Sequence, residues 1–163
     1  MVSDEVICAF GRRGYWTGAE KYGYLPDILT FAKGVTSAYQ PLGGLAFRSH
    51  IKDLLAQDKT SMYLHGSTWG GHPVAAAVAL ANIEVFEKED ILGNVQRNGA
   101  WFGERLQELY DRHEIVGDVR GTGYFWALEL VKDREHKIGF DDAETERLLR
   151  GFLSTSLMEL GLI

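Results

Sequence analysis

The chain has 163 residues, of which 45% are hydrophobic and 25% charged, a composition typical of about one globular domain. Its formal net charge of −6 argues against nucleic acids and anionic membranes as partners, because both attract clustered lysines and arginines. The single cysteine, Cys8, cannot form an intrachain disulfide, and neither a signal peptide nor an apolar run of membrane-spanning length is evident. A cytoplasmic location is expected.

Glycine is enriched, at 19 of 163 residues, and the glycines of the first half stand in short clusters rather than in a linker. Such clusters indicate tight turns, or backbone that approaches a ligand closely. The first half is therefore expected to hold a site built on loops. Both ends of the sequence read as interrupted elements, which predicts a piece of a longer protein.

The first half is predicted to consist of short strands and loops with one helix. These elements are a strand end running into a loop at 2–10, a loop at 11–27, strands at 28–32 and 44–47, a helix at 50–57 and a glycine-rich loop at 62–72.

The second half is predicted to be mainly helical. Its elements are a helix from Pro73 to about 86, a second helix capped by Asp90 and ending near 110, a β-hairpin at 116–131 that turns near 121–123, and a last helix over about 142–160 capped by Asp141 or Asp142. This order predicts an α/β architecture followed by an α+β one, that is, parts of two domains joined by the first long helix.

Lys33 ends the apolar strand at 28–32 and is followed directly by Gly34. The carboxyl end of a strand faces the crevice where open α/β sheets bind ligands. Partial desolvation there would free the lysine amine to act as a nucleophile. The alternative is an ordinary solvated surface lysine, which is what most lysines are.

Asp4 is predicted to end a neighbouring strand, so the same crevice would hold a carboxylate and an amine. Together the two groups could serve pyridoxal phosphate, with Lys33 forming the Schiff base and Asp4 keeping the pyridine nitrogen protonated. The alternative for Asp4 is a structural ion pair or a cap.

The segment "HGSTWGGHP", residues 65–73, leads small residues into a helix N-terminus, which is a physical arrangement that binds phosphate. Thr68 could add a hydroxyl donor. The alternative is a tight loop in which serine and threonine make local caps. The two histidines of the segment, His65 and His72, stand seven residues apart without a cysteine or acidic partner, so no metal site is predicted.

The segment "GRRG", residues 11–14, has the GxxG pattern with which KH-type domains clamp an RNA backbone. That function needs a loop between two helices and basic surroundings. Here the loop follows a strand in an acidic chain, and the alternative is an ordinary tight turn.

Taken together, these segments resemble the class-III (ω-) aminotransferases, which are fold-type-I enzymes dependent on pyridoxal 5′-phosphate. The resemblance covers essentially the whole chain. It rests on Asp4-Glu5-Val6-Ile7-Cys8, Phe10-Gly11-Arg12, Pro26-Asp27-Ile28, Thr30-Phe31-Ala32-Lys33-Gly34, Pro41-Leu42-Gly43, His65-Gly66-x-Thr68, Gly71-His72-Pro73 and Val119-Arg120-Gly121-x-Gly123.

The resemblance implies a role for four residues. Lys33 would carry the Schiff base and move protons, Asp4 would pair with the pyridine nitrogen, and Val6 would pack on the ring. Thr68 would bind the phosphate of the cofactor held by the other subunit of a homodimer. The implied reaction moves an amino group from an amine or amino acid donor to an oxo acid or aldehyde acceptor.

The resemblance also implies an incomplete fold-type-I architecture. Residues 1–73 would be part of the large cofactor-binding domain, 74–87 a connecting helix, and 88–163 part of the small C-terminal domain. Because other pocket residues of the family have no counterpart here, the isolated chain is expected to be inactive. Three alternatives stay open: an aminomutase or a decarboxylase of the same fold, or a non-catalytic truncated fragment.

Overall fold

The computed structural model describes residues 1–57, 60 and 63–162, which form two compact units. The first unit comprises residues 1–102 and 122–125. The second comprises residues 103–121 and the chain from Trp126 onward. The predicted boundaries at 73 and 88 refer to the domains of a longer protein and stay a prediction.

The first unit contains a three-stranded mixed sheet. The sheet consists of β1 (Val2–Asp4), β2 (Ile28–Phe31) and β3 (Gly44–Phe47), in that order. β1 runs parallel to β2, with Asp4 opposite Thr30, and β3 runs antiparallel to β2. The predicted strands are thus confirmed, and the parallel pair puts the carboxyl ends of β1 and β2 at one edge of the sheet.

Three helices lie wholly in the first unit: α1 (Gly18–Tyr22), α2 (Ser49–Gln57) and α3 (Pro73–Lys88). The helices α2 and α3 confirm the prediction. The helix α1 lies where a loop was expected, because five residues are too few to show a helical repeat. The sequence does contain the residue types that cap a helix at both ends. Thr17 accepts a hydrogen bond from the Glu20 N–H, and Gly23 ends the helix at φ +67°.

The long helix α4 (Ile91–Arg112) follows α3 after a short turn. Asp90 adopts φ +49° at this turn, and its carboxylate receives a hydrogen bond from Arg97. That bond is the main reason why the pKa of Asp90 lies below its ordinary value, and the Gly93 N–H adds to the effect. Asp90 therefore occupies the start of α4, as predicted.

The predicted hairpin is confirmed as β4 (Val116–Thr122) and β5 (Phe125–Leu130), which pair in a two-stranded sheet. The last helical stretch consists of α5 (Asp142–Glu144), a π-helical segment at Thr145–Leu153 and α6 (Ser154–Glu159). Asp141 is its cap and forms a reciprocal capping box with Glu144. The π-helical turns were not predicted, because their wider repeat is not legible from apolar spacing.

The buried apolar residues are small and few in both units. They are Ala9, Ala19, Val35, Ala75, Ala79 and Val95 in the first unit, and Val116 and Val131 in the second. Many large apolar side chains are exposed instead, among them Leu64 at 86% and Trp69 at 75%. No helix within the described residues is both long and apolar enough to cross a membrane.

Candidate active site

Lys33 and Asp4 lie at the same edge of the sheet. Asp4 ends β1, and Lys33 follows the end of β2 after one extended residue, Ala32. Because the two strands are parallel and Asp4 stands opposite Thr30, the carboxylate and the amine emerge at neighbouring strand ends. The prediction of a shared crevice assumed this parallel topology, which the structure has, and the crevice itself stays a prediction.

Lys33 opens a tight segment, residues 33–38, which we call the lysine turn. Three of its non-glycine residues have left-handed backbones: Lys33 at φ +48°, Ser37 at +49° and Ala38 at +64°. An L-residue in this region costs roughly 1–2 kcal/mol, so the surrounding structure has to hold the turn in place. Lys33 itself is exposed, so this chain alone does not supply the expected desolvation.

Hydrogen bonds within the turn supply part of that support. The Thr36 N–H donates to the Lys33 carbonyl at 3.2 Å, and the Ser37 N–H donates to the Gly34 carbonyl at 3.3 Å. Thr36 is 1% exposed, and its hydroxyl donates to the Gln40 carbonyl at 2.6 Å. The turn is therefore a hydrogen-bonded structure rather than a loose loop.

Gly34 makes the closest approach in this region. A Cβ atom at Gly34 would lie 2.9 Å from the Phe10 Cβ and 3.3 Å from the Ala9 carbonyl oxygen. Real Cβ atoms do not approach to the first of these distances, so the position requires glycine. The glycine after Lys33 thus leaves room for the backbone of the segment that follows β1.

A side chain of α3 also holds the lysine turn. The Asn82 Nδ2 group donates to the carbonyls of Gly34, at 2.9 Å, and Val35, at 3.1 Å. The Asn82 Oδ1 atom accepts from the Ser37 hydroxyl at 2.8 Å. Asn82 was not predicted from the sequence to contribute to the site. The available signal was an asparagine, a poor helix former, in the middle of an alanine-rich helix.

The carboxylate of Asp4 is exposed but anchored by its neighbours. Its Oδ1 atom accepts hydrogen bonds from the Val6 N–H, at 3.1 Å, and the Thr30 hydroxyl, at 3.3 Å. Val6 is half-buried beside it. Both bonds use the Oδ1 atom, so the carboxylate keeps acceptor capacity on Oδ2 for a cationic N–H.

The neighbouring acid, Glu5, is buried where Asp4 is exposed, and it was not predicted from the sequence. It is 1% exposed and accepts hydrogen bonds from Ser3 and from the N–H groups of Gly18 and Ala19, all within 2.9 Å. The guanidinium of Arg13 lies 3.8 Å away. A buried carboxylate is tolerated only when it is paired and hydrogen-bonded in this way, so Glu5 is structural.

Two clefts meet at Lys33. The first, of about 450 Å³, also includes Phe10, Gly34, Phe86 and Tyr124. The second, of about 700 Å³, lies between the segment 32–43 and the segment 67–71. Lys33 is therefore accessible from both sides of the turn.

Thr68 lies on the glycine loop, residues 63–72, and is exposed. Its neighbours Ser67 and Trp69 line the second cleft together with Lys33. At the end of the loop, the His72 Nδ1 atom accepts from the Ala75 N–H at 3.4 Å and caps α3. The sequence alternative expected caps from serine and threonine in this segment, and the cap of α3 is a histidine instead. Residue 62, at the start of the predicted loop, lies outside the described residues.

The segment 11–14 forms a closed turn packed against helices. The Gly14 N–H donates to the Gly11 carbonyl at 2.8 Å, and Gln96 of α4 donates to the Gly14 carbonyl at 2.6 Å. A Cβ atom at Gly11 would meet the Phe86 ring at 2.7 Å. This backbone is occupied by protein contacts, which favours the tight-turn alternative over an RNA clamp.

Cys8 is a second nucleophile type near this edge, but its environment disfavours it. Burial raises the pKa of the Cys8 thiol, and the acids Glu5 and Asp4 raise it further, against a lowering by Arg13. A thiol with a raised pKa is protonated at neutral pH and unreactive. Cys8 is therefore a poor nucleophile at neutral pH.

Comparisons with known proteins identify the family of the chain. The aminotransferase class-III family matches residues 1–160. A probable aminotransferase of Mycobacterium tuberculosis, Rv3329, is 49% identical over 162 residues, which are 99% of this chain and 34% of that protein. The putrescine–pyruvate aminotransferase of Pseudomonas aeruginosa is 45% identical over 151 residues, 92% of this chain and 32% of that protein.

A solved structure gives the same answer for the fold. The (S)-enantioselective ω-transaminase of Thermomicrobium roseum superposes with a TM-score of 0.90 at 40% identity, over 99% of this chain and 35% of that one. The chain thus has the transaminase fold that the resemblance implied, and it spans about a third of the length of these relatives. By this match along nearly its whole length, the chain belongs to the class-III aminotransferase family.

Proposed function

We propose that the protein containing this chain catalyses pyridoxal-phosphate-dependent transamination, with Lys33 as its catalytic residue. The observation that carries the proposal is the pair of groups at one sheet edge. An accessible primary amine follows β2, and an anchored carboxylate ends the parallel strand β1. Family membership supports the same function.

The residues fit the cofactor by their chemistry. An aldehyde needs an accessible amine, and Lys33 is exposed and lines two clefts. A pyridinium N–H needs a carboxylate with free acceptor capacity, which Asp4 offers beyond its bonds to Val6 and Thr30. Pyridoxal phosphate bound there would supply an electron sink for the substrate carbon that loses its proton.

Four residues of the chain would then have separate tasks. The Nζ atom of Lys33 would hold the cofactor and would carry a proton to and from the substrate carbon. Asp4 would keep the ring nitrogen protonated, and the half-buried Val6 would pack against the ring. Thr68, exposed on the glycine loop, would donate its hydroxyl to a phosphate held by a second subunit. A homodimer with shared sites is therefore part of the proposal, as is a cytoplasmic location.

The substrate classes follow from the reaction type. An amine or amino acid donates the amino group, and an oxo acid or aldehyde accepts it. Two relatives are named for pyruvate as acceptor, with putrescine and taurine as donors.

The test is Lys33→Ala in the full-length protein, with Lys137→Ala as the matched control. Lys137 is also an exposed lysine at positive φ, +56°, but it belongs to the second unit. We expect Lys33→Ala to lower kcat/KM for amino transfer by about 10³-fold or more, and Lys137→Ala to leave it unchanged.

A second measurement locates the attachment. Borohydride reduction of the protein with pyridoxal phosphate, followed by peptide mass analysis, should find the cofactor on the peptide of Lys33. Attachment at another lysine, or equal activity of the two variants, would overturn the assignment. Release of carbon dioxide, with the amino group kept on the product, would identify a decarboxylase. An isomerised amine in place of an oxo product would identify an aminomutase.

A further inference from the structure

We propose that Asn82 is a positioning residue that sets the geometry of the Lys33 amine. The inference rests on the proposed function of Lys33 and adds a residue on a different element, 48 residues from the turn that it holds. It is carried by three hydrogen bonds that one carboxamide makes to the lysine turn.

The orientation of the carboxamide follows from its partners. The Gly34 and Val35 carbonyls can only accept, so the Nδ2 group must face them. The Oδ1 atom then faces the Ser37 hydroxyl, which donates to it at 2.8 Å. Every polar function of Asn82 is thus used on the lysine turn.

The bonds fall on the residues that fix the direction of the lysine. Gly34 and Val35 follow Lys33 directly, and Ser37 has one of the three left-handed backbones of the turn. A backbone that intrinsically disfavours its own conformation relaxes when its external ties are cut. Loss of the two donated bonds would therefore let the peptide after Lys33 rotate, and the amine would sample other directions.

The position of Asn82 in α3 makes it a suitable anchor. The side chain is half-buried, and α3 runs for 16 residues from its Pro73 start. The neighbouring helical residues Ala75 and Ala79 are buried, so the helix is fixed by packing on the side that supports it. A site residue tied to a packed helix is held more accurately than one on a free loop.

Asn82→Asp is the sharpest variant, because it changes one atom. The carboxylate keeps the acceptor for Ser37 and replaces both donors with an oxygen that repels the two carbonyls. Asn98→Asp is the matched control. Asn98, on α4, also donates from its Nδ2 group to a backbone carbonyl, that of Asn94, at 3.0 Å, but it is exposed and bonds within its own helix.

The first readout needs no cofactor. In the unliganded protein, amide hydrogen exchange of residues 35–37 should accelerate about tenfold or more in Asn82→Asp. The Glu5 amide, which bonds to the Thr30 carbonyl at 2.9 Å between β1 and β2, should keep its native rate. Native rates at 35–37 in the variant would overturn the inference, and so would equal acceleration of the Glu5 amide.

The second readout separates positioning from simple destabilisation. In the capture of pyridoxal phosphate, the Nζ lone pair bonds to the aldehyde carbon, and the two amine protons leave with the carbonyl oxygen as water. Pyridoxamine phosphate has no aldehyde and needs no such capture. We expect Asn82→Asp to slow capture, measured by borohydride trapping on Lys33, at least tenfold, with the Kd of pyridoxamine phosphate within twofold of native.

The outcomes distinguish this inference from the function on which it rests. Absence of capture at Lys33 in the unsubstituted protein would overturn the proposed function and this inference with it. Normal capture in the unsubstituted protein and in both Asn82→Asp and Asn98→Asp would overturn only the role of Asn82. A parallel loss of capture and of pyridoxamine phosphate binding would also overturn it, because that is what a general structural defect produces.

Discussion

The lysine turn and the glycine loop line the same cleft, but they are built in opposite ways. The lysine turn has buried residues, Val35 and Thr36, internal hydrogen bonds and an anchor from α3. The glycine loop is exposed throughout 63–71, and the side chains of Leu64 and Trp69 are largely open to solvent. The wall of the cleft that the lysine turn forms is stabilised by contacts within this chain, and the wall that the glycine loop forms is exposed to solvent.

The lysine turn is stabilised by contacts within this chain, whereas the glycine loop is not covered by it. A turn with three left-handed residues is stable only because its surroundings specify it, and those surroundings are all present in the first unit. An apolar loop surface that has no cover of its own is typical of a region that meets another part of an assembly. This fits the proposal that Thr68 serves a cofactor in a second subunit.

The first prediction concerns Asp4, the carboxylate that lies at the same sheet edge as the lysine turn. Asp4→Asn should lower turnover of the full-length protein by about 10²-fold or more, because an amide does not hold a ring nitrogen protonated. The amide oxygen can still accept from Val6 and Thr30, so the melting temperature should change by only about 2 °C. Steady-state kinetics and thermal melts measure the two effects.

Asp53→Asn, on the exposed surface of α2, is the control and should leave both quantities unchanged. Turnover of Asp4→Asn within threefold of native would mean that the carboxylate only anchors the end of β1. The cap interpretation of Asp4 would then be the correct one.

The next effect measures how tightly the lysine turn is packed. Gly34→Ala should destabilise the protein by about 1–3 kcal/mol, because its Cβ would lie 2.9 Å from the Phe10 Cβ. Gly43→Ala is the matched control at the other end of the same loop, where a Cβ would have ordinary contacts of 3.5 and 3.6 Å. Its change should stay within about 0.5 kcal/mol.

Urea unfolding of the two alanine variants gives the comparison directly. Equal stabilities would show that the segment around Phe10 shifts at little cost to accept the new Cβ. The lysine turn would then not be tightly packed.

The smallest effect is expected on the glycine loop. Thr68→Val should not alter the stability of the cofactor-free protein by more than about 0.5 kcal/mol, because the side chain is exposed. Affinity for pyridoxal phosphate should fall about tenfold, which is the value of one hydrogen bond to a charged group. Titration with pyridoxal phosphate at protein concentrations above and below the dimer dissociation constant should show the loss of affinity only in the dimer. An equal loss in the monomer would place the phosphate contact within one subunit.

The predictable features were those with local signals. Pro73 marked the start of α3, and the apolar run before Lys33 marked β2, because proline geometry and strand patterns are written in adjacent residues. The pairing of Asp4 with Thr30 has no such local signal, because it depends on the two strands lying side by side in parallel. The family resemblance supplied the roles, which no spacing could provide.

The missed features depend on contacts between distant residues. Asn82 reaches a turn 48 residues away, and Glu5 bonds to N–H groups 13 and 14 residues on. Neither contact leaves a periodic pattern, since periodicity reports which face of an element is buried and not what a single polar side chain meets. The short helix α1 was missed for the related reason that one helical turn has no repeat.

The mixed pairing of β2 has a consequence for the order of assembly. Its antiparallel pairing with β3, from Phe31 to Gly44, closes a loop of 12 residues, 32–43, and that loop contains the lysine turn. Its parallel pairing with β1, from Asp4 to Thr30, closes one of 25 residues, 5–29, which costs roughly 0.6 kcal/mol more in chain entropy. We therefore expect the turn that carries the amine to form before the strand that delivers the carboxylate docks beside it.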